Sequence, residues 1–173
     1  MKKLLTISAL TVACACVAVP AFAEGGYPNP VGVSFRIGEF YPSETDTQHN
    51  AGTNWFSAGF DYKLTGIKRP SFLPKGHFSI SLDYTSRESY RSVPLLLNYT
   101  SGKIVYASVG AGVTFARFPQ DDGNINDRIR FAYSAAIGWT FSQGEIPLFV
   151  EARYFGSEMP RVGGVAAYVG ARF

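Results

Sequence analysis

Thiols and imidazoles are scarce in this chain, and the scarcity closes off much chemistry. The two cysteines, Cys14 and Cys16, both fall in an apolar leader, and the two histidines, His49 and His77, lie far apart. Beyond residue 16 there is therefore no thiol for a disulfide or a thiolate metal site, although the leader points to a compartment where disulfides form. No cofactor and no metal are expected. Charge of either sign is also in short supply, at 17% of residues with a formal balance of +3. Losing Lys2 and Lys3 with the leader brings that to +1, since no acidic residue precedes Glu24. Nothing in this balance suggests a nucleic-acid partner. After the leader no apolar run approaches the ~20 residues that a membrane-crossing helix requires. If the remainder enters a membrane, it does so as a closed barrel, the other arrangement that satisfies every backbone polar group in lipid.

The leader itself has three parts: Met1-Lys2-Lys3, an apolar stretch from Leu4 to Val19, and Pro20-Ala21-Phe22-Ala23. A basic start, an apolar core of this length and an Ala-x-Ala ending form a secretory signal. Cleavage is expected after Ala23, leaving one domain over residues 24–173. Thr11, Val12 and Ala13 precede Cys14 without the leucine usual at a lipoprotein cleavage site, so the cysteines read as small apolar residues of the signal.

From residue 31 onward the chain alternates, without linker, low-complexity tract or heptad pattern. Eight strands are predicted at roughly 31–40, 54–64, 77–85, 92–100, 103–118, 128–141, 147–155 and 164–173, each bounded by Gly, Pro, Asn, Asp or Ser. Val31, Val33, Phe35 and Ile37 oppose Gly32, Ser34, Arg36 and Gly38; Phe56, Ala58, Phe60 and Tyr62 oppose Ser57, Gly59, Asp61 and Lys63. Phe78, Ile80, Leu82 and Tyr84 likewise oppose Ser79, Ser81 and Asp83, and the sixth and seventh segments repeat the scheme. Successive side chains on a strand point to opposite faces, so each segment has one apolar wall and one polar or small wall. The fifth and sixth segments exceed the ~9–11 residues that cross a bilayer at a tilt, and would stand above it.

Alternation alone leaves open which wall faces inward. The polar wall is mostly Gly, Ser and Ala with single charges, which suits a narrow lumen. On the apolar wall, Phe56, Tyr62, Tyr84, Tyr99, Trp139, Phe141 and Tyr154 gather near segment ends, as in the aromatic girdles of a lipid-facing band. Finally, Val165, Val169 and Phe173 lead, at every second position with Ala167 and Ala171, to the last residue. That ending resembles the C-terminal strand of bacterial outer-membrane barrels. The resemblance implies that Phe173 is the assembly signal recognised by the barrel-assembly machinery. The wider pattern over residues 31–173 resembles the small barrels of the OmpX and OmpA type. It implies an all-β fold, an eight-stranded antiparallel up-and-down transmembrane barrel, placed among outer-membrane lipid. With both termini in the periplasm, 41–53, 86–91, 119–127 and 156–163 become the external connections. The connection 65–76, with Lys68, Arg69, Pro70, Pro74 and Lys75, is long for a periplasmic turn: either that turn is unusual or the strand count fails there.

Projected inward, the strand charges are Arg36, Asp61, Lys63, Asp83, Arg130, Glu151, Arg153 and Arg172. A lipid-facing Arg or Lys near mid-membrane costs roughly 2–4 kcal/mol, which accounts for their side. An eight-stranded barrel is about wide enough for its own side chains, so these charges read as a paired, structural filling. His77 and Ser79 share a face and resemble the His-x-Ser pair of lipid A deacylase barrels, but the topology puts them at the periplasmic end, and no catalytic residue is expected. Asp122, Asn124 and Asn126 start like a calcium loop, which then fails because Asp127 stands where a turn glycine belongs and Tyr133 where a bidentate Glu belongs. Asn98-Tyr99-Thr100 matches a glycosylation triplet inside a strand. The expected role is non-enzymatic, structural or surface-interacting, with an unidentified external ligand on loops 41–53 and 119–127. A lipid A acyl hydrolase, a small-solute channel and, more remotely, a soluble lipocalin-like barrel are the alternatives.

Overall fold

A computed structural model describes residues 32–67, 70–102, 104–119, 125–142, 146–158 and 160–173. The leader with its cleavage point at Ala23, Val31 and the oxygen-rich positions Asp122 and Asn124 lie outside the described residues. Eight strands run β1 (Val33–Pro42), β2 (Trp55–Lys63), β3 (Gly76–Arg87), β4 (Tyr90–Gly102), β5 (Val105–Pro119), β6 (Ile125–Thr140), β7 (Leu148–Ser157) and β8 (Gly164–Arg172). Each pairs antiparallel with the next, and β8 returns to β1 to close the barrel. The closing ladder runs from Ser34↔Arg172 to Pro42↔Gly164. Closure leaves no unpaired strand edge, so the backbone meets its own hydrogen-bonding demand.

The alternation in sequence becomes a division between outside and inside. Phe35, Phe56, Tyr62, Leu82, Val109, Ile137 and Trp139 project from the outer wall, while Arg36, Ser57, Ser81, Asp83, Asn98, Ser134 and Glu151 are buried within. A one-residue slip in any ladder would exchange those two sets, so the register is fixed by the whole pattern. β5 and β6 are the longest strands, at 15 and 16 residues.

Two connections differ from expectation. The segment 86–91 is not a loop: Arg87 pairs with Tyr90, and only Glu88 and Ser89 turn the chain. Glu88 takes φ 53, the left-handed geometry that a tight hairpin asks of one of its central residues. Nor is 41–53 a plain loop, since it carries the short helix α1 (Thr45–Ala51). Gln48 donates to the carbonyl of Pro42 and Trp55 to that of Gly52, which fold α1 back over the barrel mouth. The count of eight stands, because β2 and β3 are ladder neighbours across the long 64–75 connection. Residues 64–75 therefore join two strands at the end where both termini lie, called here the termini end. The opposite, loop end carries α1 and a 3-10 turn (Pro160–Val162).

Small residues set how close the walls come. A Cβ at Gly138 would fall on the ring of Tyr106, which is buried from the neighbouring strand. Overpacking of this kind costs about 1–3 kcal/mol. Gly138→Val is expected to lower the urea midpoint of unfolding accordingly, while Ala135→Val, on the outer wall of the same strand, leaves it nearly unchanged.

Candidate functional site

The lumen is layered, and the layers follow from register. Arg36 on β1 lies opposite Gly59 on β2 and Gly170 on β8; Gly59 in turn lies opposite Asp83 on β3. Glycines beside Arg36, Asp83 and Glu151, and alanines on both sides of Arg153, give the charges room to cross the barrel. At Gly59 an added Cβ would meet the carboxylate of Asp83, and would come within 2.6 Å of Arg36 Nε.

Five ionised groups meet in the middle layer. Arg36 pairs closely with Asp61, places Nη2 2.6 Å from Asp83 Oδ1, and holds Nε 3.8 Å from Glu151 Oε1. Arg153 donates from Nε to Glu151 Oε1 at 2.8 Å, with Nη1 3.7 Å from Asp83 Oδ2. Tyr106 donates to the other oxygen of Glu151 at 2.9 Å, and Ser34 to Asp61. Arg36, Asp83, Glu151 and Arg153 are each at most 6% exposed. Taking such charges out of water costs several kcal/mol per ion unless partners and hydrogen bonds replace the solvent. Asp83 Oδ2 and Arg153 Nη1 have no hydrogen-bond partner, so the layer is not completely satisfied. Three carboxylates thus face two guanidiniums.

Toward the termini end lies a cavity of about 160 Å³, lined by Ser34, Lys63, His77, Ser79, Thr100, Tyr106, Arg172 and others. Arg172 stacks on Tyr106 and Phe149, with its guanidinium carbon 4.4 and 4.8 Å from the two ring centroids, and donates to Thr140 Oγ1 at 3.0 Å. Among the described residues no carboxylate approaches Arg172 within 4 Å. Lys63 is exposed at the same mouth. Of the eight inward charges read from the sequence, five therefore form the ionic layer. Arg172 and Lys63 border the cavity beneath it, and Arg130 stands half-exposed near the loop end, donating to the Ile129 carbonyl.

Away from the ions, hydroxyls and one amide fill the β3–β6 side. Asn98 donates to Ser81 at 2.8 Å and accepts from Ser134, and Ser92 meets Thr114 at 2.9 Å. Asn98, the head of the glycosylation triplet, is thus enclosed in the lumen. His77 and Ser79 border the cavity, but no hydrogen bond joins them. Two of His77's charged neighbours are the cations Lys63 and Arg172. A nucleophile's base is normally oriented by an acceptor, and although Asp61 and Glu151 line the same cavity, no hydrogen bond ties either to His77. Among the described residues no group of three or more His, Cys, Asp or Glu side chains is placed to hold a metal ion.

Above the ions the lumen changes character. Tyr168 meets Ser57 at 2.6 Å, and beyond it Phe40, Trp55, Tyr90, Leu96, Phe118 and Phe155 pack into one buried cluster with Ala51 of α1 and Val162 of the 3-10 turn. Phe40 and Trp55 rings are 5.5 Å apart, as are Trp55 and Tyr90. The inner wall is therefore not Gly, Ser and Ala throughout: its loop end is an aromatic plug. Parity could have found it, since Phe40 falls in step with Arg36 and Trp55 with Ser57.

The two-against-three balance ranks the layer's members. Arg36→Met leaves three carboxylates on one guanidinium and is expected to cost about 3–5 kcal/mol. Asp83→Asn leaves one carboxylate for each guanidinium and costs distinctly less. Urea unfolding of the two variants gives the order directly, and a larger loss for Asp83→Asn would contradict the balance.

No protein-family model matches the chain, and no curated protein matches it in sequence. Solved structures do share the fold. The outer membrane protein Ail of Yersinia pestis, determined in a phospholipid bilayer nanodisc, aligns with a TM-score of 0.51 at 14% identity, over 82% of this chain and 98% of Ail. The N-terminal β-barrel domain of Pseudomonas aeruginosa OprF aligns at 0.48 and 10% identity, over 84% and 98%. The outer membrane enzyme PagL aligns at 0.45 and 16% identity, over 82% and 97%. At these identities the likeness to Ail is one of fold: the closed eight-stranded barrel of small outer-membrane proteins.

Proposed function

We infer that the chain is a non-enzymatic integral protein of the Gram-negative outer membrane, structural or surface-interacting, with a side-chain-filled lumen. The outer wall carries this reading. On β5 the outward residues Val105, Ala107, Val109, Ala111, Val113 and Phe115 form an uncharged column of ten residue steps. At ~3.3 Å per residue and a tilt of about 40°, that column is roughly 25 Å tall, the height of a lipid-facing barrel band. A soluble barrel would leave Val109 and Ile137, each 60% exposed, within an apolar surface that runs round the whole wall. Exposed patches on soluble proteins rarely exceed a few hundred Å².

In this reading residues 1–23 direct export and leave after Ala23. Phe173, whose backbone N–H donates to Val33 at 2.7 Å and whose carbonyl accepts from Gly32 and Val33, presents the assembly signal to the barrel-assembly machinery. The loop end faces outside the cell, where residues 41–53 and 119–127 are the places for an external ligand. His77 and Ser79 serve as lumen lining rather than a hydrolytic pair, and the ionic layer and aromatic plug in series oppose free passage of solutes.

Cell fractionation with unheated and boiled gel electrophoresis is the first test. The protein is expected in the outer membrane, as a detergent-resistant form whose migration changes on boiling; a soluble periplasmic protein would refute the reading. Phe173→Ala is expected to reduce the folded form severalfold in cells. His77→Ala and Ser79→Ala are expected to leave the lipid A acylation profile unchanged, and a changed profile would instead support the acyl hydrolase alternative.

A further inference from the structure

The outer wall is free of charge through its belt, but directly above it stand two cations in register. Arg91 on β4 and Arg117 on β5 are Cα partners, and both side chains are exposed on the outer face. Side chains opposite one another in an antiparallel ladder have Cβ atoms about 4.5–5.5 Å apart, and like charges so placed destabilise the pair. The local partners relieve this only in part. Asp127, the Cα partner of Arg117 on its other side, brings its carboxylate to 3.8 Å of Arg117, but with the two side chains 78% and 44% exposed water screens the pairing and leaves Arg91 without a share in it. Arg91 lies 5.9 Å over the ring of Tyr84, near the limit of a cation–π contact, and among the described residues no carboxylate stands within 4 Å of it.

The surroundings indicate what would relieve it. Val93 and Phe115, Cα partners themselves, are the next outward row below the two arginines, and Leu95 with Val113 the row below that. Rows on one face of a strand are about 6.8 Å apart, so the guanidiniums stand one row above the acyl-chain zone, at headgroup depth. Ser86, Cα partner of Arg91, adds a hydroxyl on the same row. On the β1 flank of the rim the outward charge is of the other sign: Glu39, hydrogen-bonded by Tyr41 at 2.7 Å.

We propose that Arg91 and Arg117 form a clamp for the phosphate of a lipid headgroup in the leaflet facing the loop end. One phosphate between two guanidinium forks turns a repulsion into two charge-assisted contacts, and the planar fork matches phosphate geometry. The apolar rows directly beneath take the same lipid's acyl chains, which favours a lipid over a soluble anion. This rests on the membrane placement above.

The test reconstitutes the native protein and the R91Q/R117Q variant into nanodiscs of phosphatidylcholine, with and without phosphatidic acid, and reads retained lipid by native mass spectrometry and barrel stability by thermal unfolding. The native protein is expected to retain phosphatidic acid severalfold over phosphatidylcholine and to unfold at higher temperature with it. In R91Q/R117Q both effects disappear, while stability in pure phosphatidylcholine is equal or higher, because the repulsion is gone. Lys63→Gln, at the other end, keeps both effects. Equal retention by native protein and R91Q/R117Q would overturn the clamp with the membrane placement intact. Equal stabilisation by inorganic phosphate in pure phosphatidylcholine would overturn the lipid as its source. A native protein that integrates into neither lipid would overturn the membrane placement and the clamp together.

Discussion

The pairing of β1 with β8 is the contact on which the rest of the molecule depends. Until that ladder forms, two strand edges expose unpaired N–H and C=O groups, and the chain has neither an inside nor an outside. Once it forms, every side chain is assigned to one wall by parity alone, because the period along a strand is two. Arg36 shows how much hangs on it. Arg36 lies on β1, its partners Asp61 and Asp83 on β2 and β3, and Glu151 with Arg153 on β7, so the ionic layer reaches across the closure in both directions. The last residue takes part as well, since Phe173 is tied by backbone hydrogen bonds to Gly32 and Val33.

Within that frame the lumen resolves a conflict between charge and space. A barrel this narrow cannot hydrate its interior generously, yet its inner wall carries five ionised groups in one layer. The conflict is resolved locally, by glycines that let long side chains span the gap and by hydroxyls from Ser34 and Tyr106 that complete the carboxylates. It is not resolved fully, since Asp83 Oδ2 and Arg153 Nη1 face each other at 3.7 Å without a hydrogen bond.

Most of the barrel was legible in the sequence because its signal is periodic and redundant. Eight segments each repeat the same alternation, so an error at one end, such as taking 86–91 for a loop, does not disturb the topology. The two-residue turn at Glu88-Ser89 escaped because neither residue is the Gly or Asn that advertises a tight hairpin. The layer was only partly legible. Parity places Arg36, Asp61, Asp83, Glu151 and Arg153 on the inner wall, but depth along the axis depends on strand stagger, which no single strand encodes. That is why Lys63, Arg130 and Arg172 share the parity of the ionic layer but stand apart from it. Tyr106 and the aromatic plug are hidden by the prevailing Gly, Ser and Ala of the inner wall, because parity fixes the side of the wall but not how its polarity changes along the axis.

The plug has a consequence for how the interior meets solvent. Among the described residues Phe40, Trp55, Tyr90 and their neighbours close one end while the cavity opens at the other, which makes the lumen a cul-de-sac. Water that reaches Glu151 or Arg153 enters and leaves by the same mouth, past Lys63 and Arg172. With the membrane placement proposed above, the buried ions sense the composition of one compartment only, the one on the side of the chain termini, whatever bathes the helix-capped rim.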